Sequence, residues 1–159
     1  MDKRALIQAI IGQLSGELES YARSARATHE EATHEQSKAE NKYDTRGLEA
    51  SYLAQGQSRQ AAEIVQAVKQ FETLEPRDFG QDDPIDVGAL VELESGSDRL
   101  FYFIGPRAGG VEILHERKEI VVMTPQSPMG RELLGRKKGE RFEFAQGKTR
   151  TPYRIRNVR

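Results

Sequence analysis

An apolar stripe at helical spacing runs through the first 75 residues and fades toward their middle, so two long helices can pair at their base while their junction has nothing to bury. On the first arm the stripe reads Ile7, Ile11, Leu14, Leu18, Tyr21, Ala25, in steps of four and three that keep one seam facing a partner. Beyond Ala25 the larger apolar residues stop. His29, Glu30, Glu31, His34, Glu35, Gln36, Ser37, Lys38, Glu40 and Asn41 follow, and apolar character returns gradually through Tyr43, Leu48, Tyr52 and Leu53. The second arm closes with Ala61, Ile64, Val68 and Phe71 at the same spacing. At about 1.5 Å per residue, arms of this length carry the polar bend roughly 45 to 50 Å from the base. The pattern predicts an antiparallel α-helical hairpin of coiled-coil type over 1–75, with an acidic tip near 33–44.

Capping chemistry places the bend. Ser37-Lys38-Ala39-Glu40 is a Ser-x-x-Glu box, in which hydroxyl and carboxylate satisfy free amides at a helix start. A second helix starting near Ser37 and a first ending around Thr33 to Gln36 leave a tight turn with Glu35 and Glu40 at the extremity. Asp44 is the alternative cap, with Gly47 in the first turn and a longer polar loop before it. Gly12 and Gly16, one turn apart, each weaken the first arm by about 1 kcal/mol relative to alanine, and close contact with a neighbouring element is one reason to keep them.

The stretch from Leu74 to Pro84 holds two prolines, Gly80 and clustered aspartates, which end the helix and mark a linker over 76–84. Periodicity then changes from 3.6 to 2. Val87, Ala89, Val91 and Leu93 alternate with polar partners, Ser95 to Asp98 form a turn, and Leu100 to Gly105 continue. Further strands read at Val111 to Leu114, Glu119 to Met123, Phe142 to Phe144 and Tyr153 to Val158. The fold class is α+β, with a small antiparallel sheet over 85–159 and one short helix. That helix has Ser127 as N-cap, Pro128 preset for its first position and Gly135 to end it. In the last strand Tyr153 and Ile155 face inward while Arg154 and Arg156 face solvent.

Composition excludes several classes. The 159 residues are 36% hydrophobic and 31% charged, with no cysteine, which rules out disulfides and thiolate metal sites. No apolar run spans a bilayer and no secretory leader is readable, so the expectation is a soluble, cytoplasmic, monomeric protein without a membrane partner. The net charge of −1 hides an asymmetry. From Thr124 onward ten Arg or Lys residues face only Glu132, Glu140 and Glu143, whereas between His29 and Asp44 five acids face Lys38 and Lys42.

The segment Ser127-Pro128-Met129-Gly130-Arg131-Glu132-Leu133-Leu134-Gly135-Arg136-Lys137-Lys138-Gly139-Glu140 is preceded by Ile85-x-x-Gly88-Ala89-x-Val91 and followed by Tyr153-x-Ile155-x-x-Val158. Together they resemble the C-terminal domain of bacterial Gre transcription elongation factors, whose other half is a helical hairpin with an acidic tip. The resemblance implies an FKBP-like C-terminal domain that docks on RNA polymerase at its secondary channel. The docking residues it implies are Ser127, Pro128, Met129 and Arg131. It also implies a hairpin whose tip acids, Glu40 with Glu35 or Asp44, act in the polymerase active centre near the nascent RNA 3′ end. The protein would hold no cofactor of its own; Glu40 would be a ligand to Mg²⁺ shared with the polymerase, since hard oxygen donors retain that ion. Hydrolysis of a backtracked transcript would belong to the polymerase, so the chain is not an enzyme alone.

The departure lies at the tip. Cleavage-competent Gre factors carry Asp-x-x-Glu-Asn, and this chain has Ser37-Lys38-Ala39-Glu40-Asn41. Serine keeps the cap and removes one anionic ligand, leaving cleavage stimulation and mere channel occupancy both open. Two other classes stand beside this reading. Phe101, Phe103, Phe142 and Phe144 lining one groove would suit a prolyl isomerase, and the basic C-terminal third would suit nucleic acid. His29 and His34 are five apart, too far around a helix to chelate zinc. The Gly130 to Lys137 spacing fails as a phosphate loop, because Arg136 and Lys137 replace the required Lys and Ser/Thr.

Overall fold

The computed structural model describes residues 1–33 and 46–159. Helix α1 runs Lys3–Thr33 and α2 Arg46–Glu72. The strands are β1 Leu90–Ser95, β2 Asp98–Ile104, β3 Glu112–His115, β4 Lys118–Met123, β5 Arg141–Gln146 and β6 Thr149–Val158, with α3 at Pro128–Leu133 between β4 and β5. The architecture is α+β, a helical pair followed by one six-stranded sheet and a short helix. The capping box at Ser37 and the predicted tip beyond Thr33 lie outside the described residues.

The chain divides into two compact units, one of Met1–Ile11 with Gln70–Arg159, the other Gly12–Lys69. The division falls within the helices, because their terminal turns belong to the core of the sheet. Asp2 starts α1 by accepting from the Arg4 amide at 2.9 Å. Leu6, Ile10 and Phe71 are fully buried, and the Phe71 ring meets Phe103 of β2 at 6.4 Å between centroids. The predicted stripe contained Ile7 and Phe71 and missed Leu6 and Ile10. A single seam serves a two-helix contact; a helix end packed into a larger core is buried on a wider face.

Within Gly12–Lys69, Leu14, Ile64 and Ala67 are buried, while Leu18, Tyr21, Ala61 and Val68 are half-buried. Close contact is one reason to place glycine at 12 and 16, but a Cβ at either would meet nothing within 4 Å.

The sheet order is β3-β4-β2-β1-β6-β5. The expectation of a wholly antiparallel sheet needs one correction, since β2 and β4 pair parallel, Phe101 opposite Ile120 and Phe103 opposite Val122. The chain leaves β2 through Gly105 to Gly110, makes the β3–β4 hairpin, and inserts β4 beside β2 with β3 outside. Alternation of side chains carries no strand direction, so the sequence could not disclose this. The first strand is also shorter than its alternation suggested, because Gly88 turns the chain at φ 91° and the Ala89 amide donates to the Asp86 carbonyl at 3.0 Å.

Both sheet faces bury apolar residues. Val91, Leu93, Ile104, Phe142, Phe144, Ile155 and Val158 form one cluster with Met129 and Leu133 of α3 and with Phe79 and Ile85. Leu90, Phe103, Ile120 and Val122 are buried on the opposite face by strand alternation. Gly105 sits where a Cβ would lie 2.8 Å from Phe71 Cζ and 2.9 Å from Val122 Cγ1, so its lack of a side chain lets the end of α2 approach the sheet.

Candidate functional site

The β4–α3 junction is built from three hydrogen bonds made by one serine, two through its hydroxyl and one through its amide. Ser127 holds extended dihedrals, φ −65° and ψ 153°, and its Oγ accepts from the Gly130 amide at 3.0 Å while donating to the Thr124 carbonyl at 2.8 Å. The Ser127 amide also donates to that carbonyl, at 3.1 Å. Thr124 and Gly130 are thereby drawn together so closely that a Cβ on Gly130 would lie 1.9 Å from the Thr124 oxygen. Ser-Pro-x-Gly therefore carries more than a cap: the glycine removes the atom that would block the closed loop.

The same closure sorts the neighbouring side chains. Pro128 opens α3 and is exposed, Arg131 is exposed, and Gln126 stands out beside them. Met129 points the other way and is buried with Leu133 in the cluster beneath. Of the four expected docking residues, Pro128 and Arg131 present a surface, Ser127 shapes it, and Met129 anchors it from below. An amphipathic helix this short must bury one side to exist. Its far end is tied as well. Gly135 adopts φ 80°, its amide donates to the Ile85 carbonyl at 2.9 Å, and the Ile85 amide donates to the Arg136 carbonyl at 2.8 Å. Arg136 then lies over the Phe142 ring at 4.9 Å and pairs with Glu132 at 3.0 Å.

A second anchor was not read from the sequence. Lys3 is buried, donates to the carbonyls of Arg77 and of Gly88, the latter at 3.2 Å, and stands 4.8 Å from the centre of the Phe79 ring. Burial lowers its pKa below the ordinary 10.5; Asp78 opposes that shift and Arg77 adds to it. The only signal in the sequence was a lysine at the start of an apolar stripe, and exposed lysines are far commoner there.

Glu35, Glu40 and Asp44, the predicted tip acids, lie outside the described residues, as does the expected Mg²⁺ ligation by Glu40. Among the described residues no group of three or more His, Asp or Glu side chains is placed to hold a metal ion. No helix among them is long and apolar enough to cross a membrane. The four phenylalanines do not share one groove: Phe142 and Phe144 are in the α3 cluster, whereas Phe103 meets Phe71 on the other side of the sheet.

No protein-family model matches the chain, and no curated protein matches it. Solved structures similar to it include the GreA factor homolog 1 (Gfh1) protein of Thermus thermophilus, at 22% identity over 94% of each chain with a TM-score of 0.39. Gfh1 of Thermus aquaticus is 22% identical over 95% of this chain and 94% of its own, with a TM-score of 0.41. The elongation factor GreA/GreB of Nitrosomonas europaea is 17% identical over 70% of this chain and 91% of its own, with a TM-score of 0.34.

Proposed function

We propose that this protein is a Gre-type factor that binds RNA polymerase, docks through the loop of Ser127, Pro128 and Arg131, and carries residues 33–44 into the secondary channel to modulate elongation. The observation that supports the reading most directly is the closed Thr124–Ser127–Gly130 loop, which holds Pro128 and Arg131 outward on a domain that contains the outer turns of two long helices. A surface fixed by a close backbone approach at Gly130 and three hydrogen bonds is preorganised, and preorganised contacts lose little ordering entropy on binding. In this role the chain is not an enzyme. Glu40, with Glu35 or Asp44 beside it, would bring carboxylate oxygens to the polymerase's Mg²⁺ near the RNA 3′ end, in the cytoplasm and as a monomer.

The serine at position 37 favours a second form of the same role. With one anionic ligand fewer than Asp-x-x-Glu-Asn, the tip would occupy the channel and exclude cleavage factors instead of promoting cleavage. A stalled, backtracked elongation complex tests both. Transcript shortening that disappears in Glu40→Ala is expected for a cleavage factor. Displacement of a known Gre factor without shortening is expected for an occupying one, and Ser37→Asp should then raise cleavage. Failure of the wild-type chain to bind polymerase at all would end both forms.

A further inference from the structure

At its β6–β5 end the sheet presents a row of charges that is out of balance. Arg99 opposes Glu94, Glu94 opposes Arg154, and Arg154 opposes Arg141, so one line of side chains crosses four strands. The carboxylates of this face are already engaged: Arg99 and Arg156 reach Glu92 at 3.6 and 3.8 Å, and Arg156 reaches Glu94 at 3.4 Å. Glu143 faces Arg150 at 3.8 Å. Among the described residues neither Arg141 nor Arg154 forms an ion pair. Two exposed arginines thus occupy directly opposed positions of an antiparallel ladder, and like charges so paired cost the free protein stability.

The pair lies in a groove of about 560 Å³, walled by Glu94, Gly96, Glu143 and Pro152. Arginines at opposed ladder positions carry planar forks that can close on a carboxylate held between them. A continuous polyanion fits less well, because Glu94 and Glu143 flank the pair in the same groove. Phe142 and Tyr153 also line the groove, but Phe142 is buried and the half-buried Tyr153 stacks on it at 5.6 Å between centroids, so one face of the tyrosine is already taken. A ligand with one or two isolated carboxylates on a polypeptide meets both requirements.

We propose that the groove over β5 and β6 is a docking site for a short acidic segment of a partner protein, with one carboxylate bridging Arg141 and Arg154 and the chain seated against Pro152. The site is separate from the Ser127 loop and does not depend on what that loop binds.

The test is titration of the full, ¹⁵N-labelled chain at low salt with a ten-residue Gly/Ser peptide carrying two separated glutamates and, separately, with a ten-nucleotide oligo-dT. Expected are amide shifts confined to 141–143 and 153–154 with the peptide, weakening as salt is raised. Affinity should fall about tenfold in Arg141→Ala/Arg154→Ala. The same variant should melt at or above the wild-type temperature, since it relieves repulsion. Arg154→Lys keeps the charge and loses the fork, and is expected to lose part of the affinity. Absence of shifts, equal affinity in the double variant, or loss of its thermal stability would overturn the proposal. Tighter binding of oligo-dT than of the peptide would also overturn it, assigning the surface to nucleic acid, and full affinity in Arg154→Lys would overturn the bridging geometry.

Discussion

Glycine has opposite consequences in the two compact units. At Gly16 and Gly56, in the unit Gly12–Lys69, an added Cβ would meet nothing within 4 Å. At Gly130 and Gly105, in the unit with the sheet, it would strike the Thr124 carbonyl and the Phe71 ring. The helical glycines lower helix propensity and gain no contact in return, while Gly105 and Gly130 permit close contacts that a side chain would block. The Thr124–Gly130 loop is therefore specified by close packing, and the arms by pattern alone. A partner-binding surface gains from the first arrangement. An arm that only has to present residues farther along the chain tolerates the second.

Gly130→Ala should break the loop and have the largest effect. A Cβ 1.9 Å from a carbonyl oxygen cannot be accommodated by a rotamer change, so the Thr124–Ser127 turn must open. The expected cost is about 3 kcal/mol, the upper part of the range for overpacked sites, read by urea denaturation. Polymerase binding should be lost along with it. A variant within about 0.5 kcal/mol of wild type would show that the loop is not held by this contact.

Gly105→Ala should cost about 2 kcal/mol for a related reason, with a different remedy. Here the two nearest obstacles are the far end of the Phe71 ring and the Val122 Cγ1, both side-chain atoms, with the Arg107 carbonyl farther off at 3.2 Å. Phe71→Leu removes the nearer one, so the double variant should be less destabilised than the sum of the singles. Additive effects would mean that the α2 end does not seat on Gly105.

Much of this was legible in the sequence, for reasons that differ by element. The strands and the short helix showed through alternation, turn residues and the Ser-Pro cap, each a local signal confirmed by Ser127 at the N-cap, Ile155 in the core and Arg154 in solvent. The parallel β2–β4 pairing did not show, because direction is decided by the route of the connection. Leu6 and Ile10 were missed because burial on two sides has no single period. Met129 was expected at the docking surface on the strength of its place in the motif, and only the packing of α3 reveals that it points inward. Arg141 and Arg154 were visible as part of a basic excess, but their opposition depends on strand register, which composition does not carry. The acids at 35, 40 and 44 fall outside the described residues, so the reading of the tip rests on sequence.

Lys3 extends the comparison from backbone to side chain, since it ties the first turn of α1 to two carbonyls in the sheet unit. Lys3→Met leaves both acceptors without this donor and should cost about 1 to 2 kcal/mol. The pH dependence separates this tether from simple packing. With its folded pKa below 10.5, Lys3 is released from its proton earlier in the folded chain than in the unfolded one. The unfolded state then binds more protons, and stability rises as pH climbs from the folded pKa toward 10.5. Lys3→Met should abolish that rise. Tyr102 acts in the opposite sense above pH 10, because burial, with a smaller contribution from Tyr153, raises its pKa and the unfolded chain ionises first. The comparison of wild type with Lys3→Met cancels the Tyr102 contribution. Identical pH profiles would remove Lys3 from the account.

The smallest expected effect carries the opposite sign. Gly16→Ala adds a methyl group to an exposed helical position with open space around it, so it should stabilise α1 by about 0.8 to 1 kcal/mol. Native-state hydrogen exchange would localise the gain, with slower exchange for amides around residues 12–20 and little change in β1 to β6. Such a result fits an arm whose local stability is set by propensity, separately from the sheet unit. Destabilisation by Gly16→Ala would mean that the arm has a close neighbour after all, and the contrast between the two kinds of glycine would disappear. Stabilisation accompanied by weaker polymerase binding would instead show that a looser helix serves insertion, which gives the uncompensated glycines a use that packing does not.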